Sequence, residues 1–180
     1  MEHTSFLKMP SPVGEITIFA NDRAVTGISF ELAESHRRMV RYLEKYYGAI
    51  IENDENPHCQ KAKYQLCEYF NKNRREFTFP IEYKGTAFQH SVWTALCEVL
   101  YGEMLTYSAL AAKSGFPDAQ RAAGAACGAN PLAIVIPCHR IVSTNNSLTK
   151  FGGGLSSKQK LLELEGQTVD ENYKVKTAKA

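Results

Sequence analysis

The sequence predicts two units in series: a small α/β domain, then a mostly α-helical domain carrying a helix-turn-helix. Residues 14–30 alternate around Ile16 and Ile18, pause at Asn21-Asp22, and resume with Val25, Ile28 and Phe30. That is the period of two half-buried strands joined by a turn. Residues 35–47 and 57–71 change to a helical period. Beyond Phe88 the helical spacing persists, cut into short pieces by Gly102, Gly115-Phe116-Pro117 and Gly128, which are helix-stop signals.

Each element follows from its residues. Asn21 and Asp22 suit the hairpin turn because their side chains bond nearby backbone. Met39, Leu43 and Tyr46 or Tyr47 give the first helix an inward stripe; Tyr64, Cys67 or Leu66, and Phe70 do so for the second. Phe77-Thr78-Phe79-Pro80-Ile81 reads as a last strand. Tyr83-Lys84-Gly85-Thr86 is a short link, which sets an α/β domain at 1–84, a second domain at 85–167 and a polar tail at 168–180. The tail, lysine-containing from Asp170, is expected to fray. In the second domain Phe88, Val92, Leu96 and Leu100 mark a helix with Trp93 in the core. Thr106 can cap a helix reaching Ser114, and Asp118 can cap another reaching Gly128. Two short helices around a glycine turn form a helix-turn-helix pattern; a corner that only packs has the same signature. Ile134-Val135-Ile136 reads as a strand ending on Pro137. Ser156 or Ser157 begins a final helix with Leu161, Leu162 and Leu164, closed by Gly166.

Composition excludes several classes. The 180 residues suffice for one large or two small cores, and no run of about 18 apolar residues offers a membrane span. Met1-Glu2-His3-Thr4-Ser5 lacks the layout of a signal peptide. Five cysteines, an odd number without a paired framework, indicate free thiols in a reducing compartment. The expected location is therefore the cytoplasm, or the nucleus in a eukaryote. No Cys-x-x-Cys occurs, and His58-Cys59 is too little for a four-ligand zinc site, so no metal or cofactor is expected. Net charge is only +2, and residues 85–166 hold six Lys/Arg against five Asp/Glu. Charge alone does not announce a nucleic-acid partner.

Pro137-Cys138-His139-Arg140 is the stretch most able to carry chemistry. A cysteine nucleophile needs thiolate character, which a nearby imidazole can supply. Adjacent residues on extended backbone point to opposite sides. Either the chain kinks after Pro137 or a water relays the proton between Cys138 and His139. A buried structural cysteine beside a loop histidine is the competing reading.

This stretch and its flanks resemble the O6-alkylguanine-DNA alkyltransferases. The matching segments are Gly85-Thr86-Ala87-Phe88-Gln89, Gly102-Glu103-Met104-Leu105-Thr106-Tyr107, Arg121-Ala122-Ala123-Gly124, Asn130-Pro131, Phe151-Gly152-Gly153-Gly154-Leu155 and Leu161-Leu162-Glu163-Leu164-Glu165-Gly166. The resemblance implies an RNase H-like first domain. It also implies a repair protein that flips O6-alkylguanine, and O4-alkylthymine as a further lesion, out of double-stranded DNA. The alkyl group would move irreversibly to Cys138 in a single turnover. His139 would act as base through a water, Glu165 would orient His139, Tyr107 would give a proton to the guanine, and Asn130 would serve as a hinge. Arg121 would fill the vacated stack, with Ala122, Ala123 and Gly124 beside it on a smooth helix lying in the minor groove. Ile141, Phe151, Gly152 and Gly153 would line the base pocket, where Phe151-Gly152 replaces the Tyr-Ser of many relatives. The implied partner is duplex DNA, bound by a monomer that could act cooperatively along it, with no membrane and no small-molecule cofactor. Alternatives are a non-enzymatic alkyltransferase-like lesion binder, which would lack Cys138, and a redox-sensing helix-turn-helix regulator. The near absence of base-reading side chains on residues 119–128 opposes the latter.

Overall fold

The structure is a computed structural model describing residues 3–176. It forms two compact units. One runs to Lys84 and takes in Pro131–Ala133; the other comprises Gly85–Asn130 and the chain from Ile134 onward.

In the first unit β1 (His3–Met9), β2 (Ile16–Ala20), β3 (Val25–Phe30) and β4 (Ala49–Glu52) form a mixed sheet in the order β3-β2-β1-β4. Gly14, at φ 96°, turns β1 into its antiparallel partner β2 and donates to the Ser11 carbonyl at 3.1 Å. The β2–β3 turn is shaped by Asn21, whose Oδ1 accepts from the amides of Arg23 at 2.9 Å and Ala24 at 2.8 Å. β4 lies parallel to β1 and therefore needs a crossover, supplied by α1 (Ala33–Tyr47).

β2 and β3 are buried along their whole length, so the alternation of Ile16 and Ile18 captures one face only. On the other face Phe19 packs with Met39, Leu43 and Tyr47 of α1. α2 (Pro57–Phe70) buries Cys59, Ala62, Gln65, Leu66 and Tyr69. Its inward stripe is thus shifted from the expected one, with Tyr64 and Cys67 exposed and Phe70 only half-buried. Gln65 explains the shift: its amide accepts from Thr78 N at 2.8 Å and donates to Thr78 Oγ1 at 2.7 Å. A satisfied polar group is buried without registering as apolar.

Other expectations need correction. Neither β1 nor β4 is legible in alternation, because β1 buries Thr4 and Ser5 and β4 is a four-residue strand at the sheet edge. Residues 77–81 contribute only an isolated bridge, Val25↔Ile81, since Pro80 has no N–H to extend a ladder.

The second unit opens with α3 (Ala87–Cys97), started by a reciprocal capping box between Thr86 and Gln89. It buries Val92, Trp93, Ala95 and Leu96 and stops short of Leu100, which is exposed. Trp93 Nε1 donates to the Ala126 carbonyl at 2.9 Å. A Cβ on Gly85 would come within 2.7 Å of the Trp93 ring, so this position must be glycine. β5 (Leu105–Thr106) leads into α4 (Tyr107–Lys113), whose cap is Thr106. α5 (Gln120–Gly128) begins after Ala119 with no side-chain cap; Asp118 is absorbed in the Phe116–Ala119 turn instead.

Residues 134–136 are a turn rather than a strand, with Ile134 at φ 71°. A single 3-10 turn, Cys138–Arg140, follows, then β6 (Ile141–Val142), parallel to β5, and α6 (Leu155–Leu164). The tail does not fray over its described part. Val169 and Val175 bury with Val142, Leu148 and Leu162, two valines in a polar stretch that no periodicity reveals. Residues 177–180 of that tail lie outside the described residues.

Asn56 caps α2 by accepting from the amides of His58 at 2.9 Å and Cys59 at 3.1 Å, while its Nδ2 donates to the Asn21 carbonyl at 3.2 Å. Asn56→Ala should cost about 1–2 kcal/mol in denaturant unfolding. Asn56→Asp, which keeps the caps and loses only the link to Asn21, should cost less.

Candidate active site

The local chain path makes the site. Pro137 (φ −83°, ψ 62°) breaks the extended path, and the 3-10 turn that follows is closed by Arg140 N donating to the Pro137 carbonyl at 3.0 Å. The chain therefore kinks after the proline. Cys138 is buried within this turn, and its Sγ accepts from Asn130 Nδ2 at 3.2 Å. The same Nδ2 donates to the Ile136 carbonyl at 2.7 Å, so one amide just beyond α5 holds both the thiol and the backbone leading to it.

His139 and Glu165 are brought together with their side chains fully buried, His139 Nε2 lying 2.8 Å from Glu165 Oε1. Arg140 forks onto the same carboxylate, Nε to Oε2 at 2.8 Å and Nη2 to Oε1 at 2.9 Å, and Nη1 donates to the Val99 carbonyl at 2.5 Å. Burial alone would raise the carboxyl pKa of Glu165. The His139 and Arg140 bonds outweigh it and hold Glu165 well below the usual carboxylate range. Burial pulls His139 below its ordinary value against the opposing pull of Glu165, so the imidazole is neutral. An ionised carboxylate only accepts, so His139 Nε2 carries the proton and Nδ1 carries the lone pair. That Nδ1 is buried with no hydrogen-bond partner among the described residues.

The thiol pKa of Cys138 is raised by burial, and opposed by the Asn130 bond and the charge of Lys158. Lys158 was missed by the sequence reading. Its side chain is buried, its Nζ donates to the Ile141 carbonyl at 2.6 Å and to Thr149 Oγ1 at 3.4 Å, and burial lowers its pKa to about 8. A signal was present: positions 158, 161, 162 and 165 share one helical face, and three of them are Leu161, Leu162 and Glu165.

The remaining expected residues fall at different depths. Tyr107, first in α4, is half-buried and its Oη is 2.5 Å from Thr149 Oγ1. Gly124 lies against the Tyr107 ring. Arg121 and Ala122 are exposed on α5, with Ala125, Gly128 and Ala129 exposed on the same helix or just past it. Ala123 is fully buried and cannot face a duplex, because it turns inward with Ala126 and Cys127. Ile141 is buried, Phe151 and Gly153 are half-buried, and Gly152 is exposed in the turn before α6. All these residues belong to the second unit. Among the described residues no three His, Cys, Asp or Glu side chains are placed to hold a metal ion, and no helix is long and apolar enough to cross a membrane.

Comparisons with known proteins bear on most of the chain. Residues 87–167 match the family described as 6-O-methylguanine DNA methyltransferase, DNA binding domain, and residues 6–83 match its ribonuclease-like domain. A methylated-DNA–protein-cysteine methyltransferase of Haemophilus influenzae is 41% identical over 157 residues, 87% of this chain and 83% of the relative. One from Mycobacterium tuberculosis is 46% identical over 155 residues, 86% of this chain and 88% of the relative. The crystal structure of Mycobacterium tuberculosis OGT in complex with DNA superposes with a TM-score of 0.74 at 32% identity, covering 91% of this chain and 92% of that one.

The buried pair makes folding stability depend on pH. His139 has a depressed pKa in the fold, so as pH falls through about 6.5 the unfolded chain binds a proton that the folded one refuses, and stability drops. Glu165 adds its own loss only below about 4.5. The thermal midpoint should fall between pH 7 and pH 5.5, and His139→Gln should flatten that fall. An equally steep fall in the variant would place the proton uptake elsewhere.

Proposed function

The chain belongs to the 6-O-methylguanine DNA methyltransferase family, and from that membership we propose how its own residues perform the transfer. It takes an alkyl group from O6-alkylguanine in DNA, and from O4-alkylthymine as a further substrate, onto one of its cysteines. Cys138 is the acceptor. Its thiol gives a proton, through one water, to His139 Nδ1, and the thiolate attacks the alkyl carbon. The S–C bond forms as the C–O bond to guanine breaks, and Tyr107 hands its phenolic proton to the departing base. The observation that carries this reading is the buried His139 Nδ1, an acceptor without a partner among the described residues, left open in the residue next to Cys138 by the Glu165 bond on Nε2. Glu165 fixes the imidazole tautomer, the role a buried carboxylate plays in other triads.

Lesion access rests on α4 and α5, read as a helix-turn-helix, and on an RNase H-like first domain as scaffold. The exposed face of α5 is small and smooth around Arg121, which suits close approach to a minor groove rather than base reading. A base buried in the stack must be extruded, at a cost of a few kcal/mol, and Arg121 fills the gap. Ile141, Phe151, Gly152 and Gly153 form the pocket for the flipped base. The protein acts as a monomer in the cytoplasm or nucleus, with no cofactor. The non-enzymatic lesion-binding alternative is disfavoured by the presence of Cys138.

The C–S bond of an alkyl thioether is broken neither by water nor by a thiol such as the buried Cys127 under mild conditions, so one alkyl group is accepted per chain. With Asn130 only 3.2 Å from Sγ, the added carbon must push it aside, and the alkylated protein should melt at a lower temperature.

Peptide mass mapping after exposure to duplex DNA containing O6-methylguanine should place one methyl group on Cys138, and Cys138→Ser should take none while still binding the lesion. A methyl on another cysteine of that variant at a comparable rate would refute the assignment. Arg121→Ala should slow repair of duplex at least about tenfold and barely change reaction with free O6-methylguanine. Glu165→Gln should slow both.

A further inference from the structure

Residues 168–176, beyond the segment that matches the family pattern, and Thr149 share a task. We infer that they form a positioning device for Tyr107: the C-terminal strap fixes the loop 143–149, and the Thr149 hydroxyl aims the phenol. The inference rests on the reading of Tyr107 as proton donor.

The strap and loop are bonded strand-like. Leu148 N donates to the Tyr173 carbonyl at 2.7 Å, Val175 N donates to the Asn146 carbonyl at 2.9 Å, and Ser147 pairs antiparallel with Lys174. Val169 and Val175 bury against Leu148, the neighbour of Thr149. The loop is itself closed by Ser143 N on the Ser147 carbonyl at 3.1 Å, with Asn146 at φ 63°. Thr149 leaves this clamp with its Oγ1 2.5 Å from Tyr107 Oη and 3.4 Å from Lys158 Nζ.

Lys158 has only protons to offer, so Thr149 Oγ1 accepts from it at 3.4 Å. In the proposed arrangement Thr149 gives its own proton to Tyr107 Oη, which leaves the Tyr107 proton to point at a bound base. When that proton moves to the guanine, the O–H bond of Tyr107 breaks and an N–H bond forms on the base. The charge left on the phenol oxygen still receives the Thr149 hydrogen bond, and the phenol regains its proton from solvent once the guanine has gone. Thr149 acts through Tyr107 and is a positioning residue.

The test compares transfer rates on free O6-methylguanine and on duplex for Tyr107→Phe, Thr149→Val and Thr149→Ser, with DNA binding and thermal melts alongside. Thr149→Val removes the hydroxyl at constant shape and should slow both reactions about tenfold, with binding and melting unchanged. Thr149→Ser should restore the rate. Val175→Ala, which loosens the strap, should slow transfer about threefold when Thr149 is present and add nothing in the Thr149→Val background. A normal rate in Tyr107→Phe would sink the proton-donor reading itself. A slow Tyr107→Phe beside a normal Thr149→Val, or a Thr149→Ser as slow as Thr149→Val, would overturn the positioning role. Additive losses with Val175→Ala would remove the strap from it.

Discussion

Glu165 caps the C-terminus of α6 with its side chain wholly buried, where missing water and the helix dipole both oppose a negative charge. It stays ionised because Arg140 meets it with two parallel hydrogen bonds and His139 with a third. Removing one partner from such a buried group typically costs about 3–5 kcal/mol, so the arrangement is held as a unit. It also joins three separate parts of the second unit: α6, the 3-10 turn carrying Cys138, and the Val99 carbonyl just past α3. The geometry around the thiol depends on this joint, because both residues that grip the carboxylate share the 3-10 turn with Cys138.

Chemistry follows from the asymmetry of the joint. Arg140 neutralises the carboxylate, so His139 need not be protonated to share it. The imidazole can remain neutral, with its open nitrogen as a base. The thiol itself is held in a place that discourages charge, and burial raises its pKa. Asn130 and Lys158 work against that burial, the first by donating to sulfur and the second by its charge. A nucleophile poised in this way keeps its proton until an electrophile joins the base already beside it in sequence. Such restraint suits a group that can be used only once.

Chain order, periodicity and motif made much of the fold legible, and each failure has a physical cause. The Ile16–Phe30 hairpin was readable because Asn21 performs its turn with its own side chain. β1 was not, because its buried Thr4 and Ser5 look like loop residues. Trp93 followed from helical spacing and the Thr106 cap from its hydroxyl, whereas Gln65 and Lys158 were hidden because a polar side chain with bonded partners can face the core. Ile134-Val135-Ile136 has strand composition but turns, with Ile134 in the left-handed region that β-branched residues avoid. Cys138, His139, Glu165 and Asn130 were named from motif resemblance, yet their meeting depends on the turn after Pro137 that composition does not announce. Arg140 proves to be the partner that lets Glu165 stay charged. Ala123 shows the opposite error, a motif position taken as a contact although the helix turns it inward.

The central physical claim is the state of one ring. Nitrogen-15 NMR of the His139 imidazole in the unalkylated protein at neutral pH tests it directly. The expected result is a neutral ring protonated on Nε2, with a bare Nδ1, persisting as pH is lowered past 6.5. An imidazolium, or a neutral ring with its proton on Nδ1, would contradict the assignment of His139 as the base for Cys138.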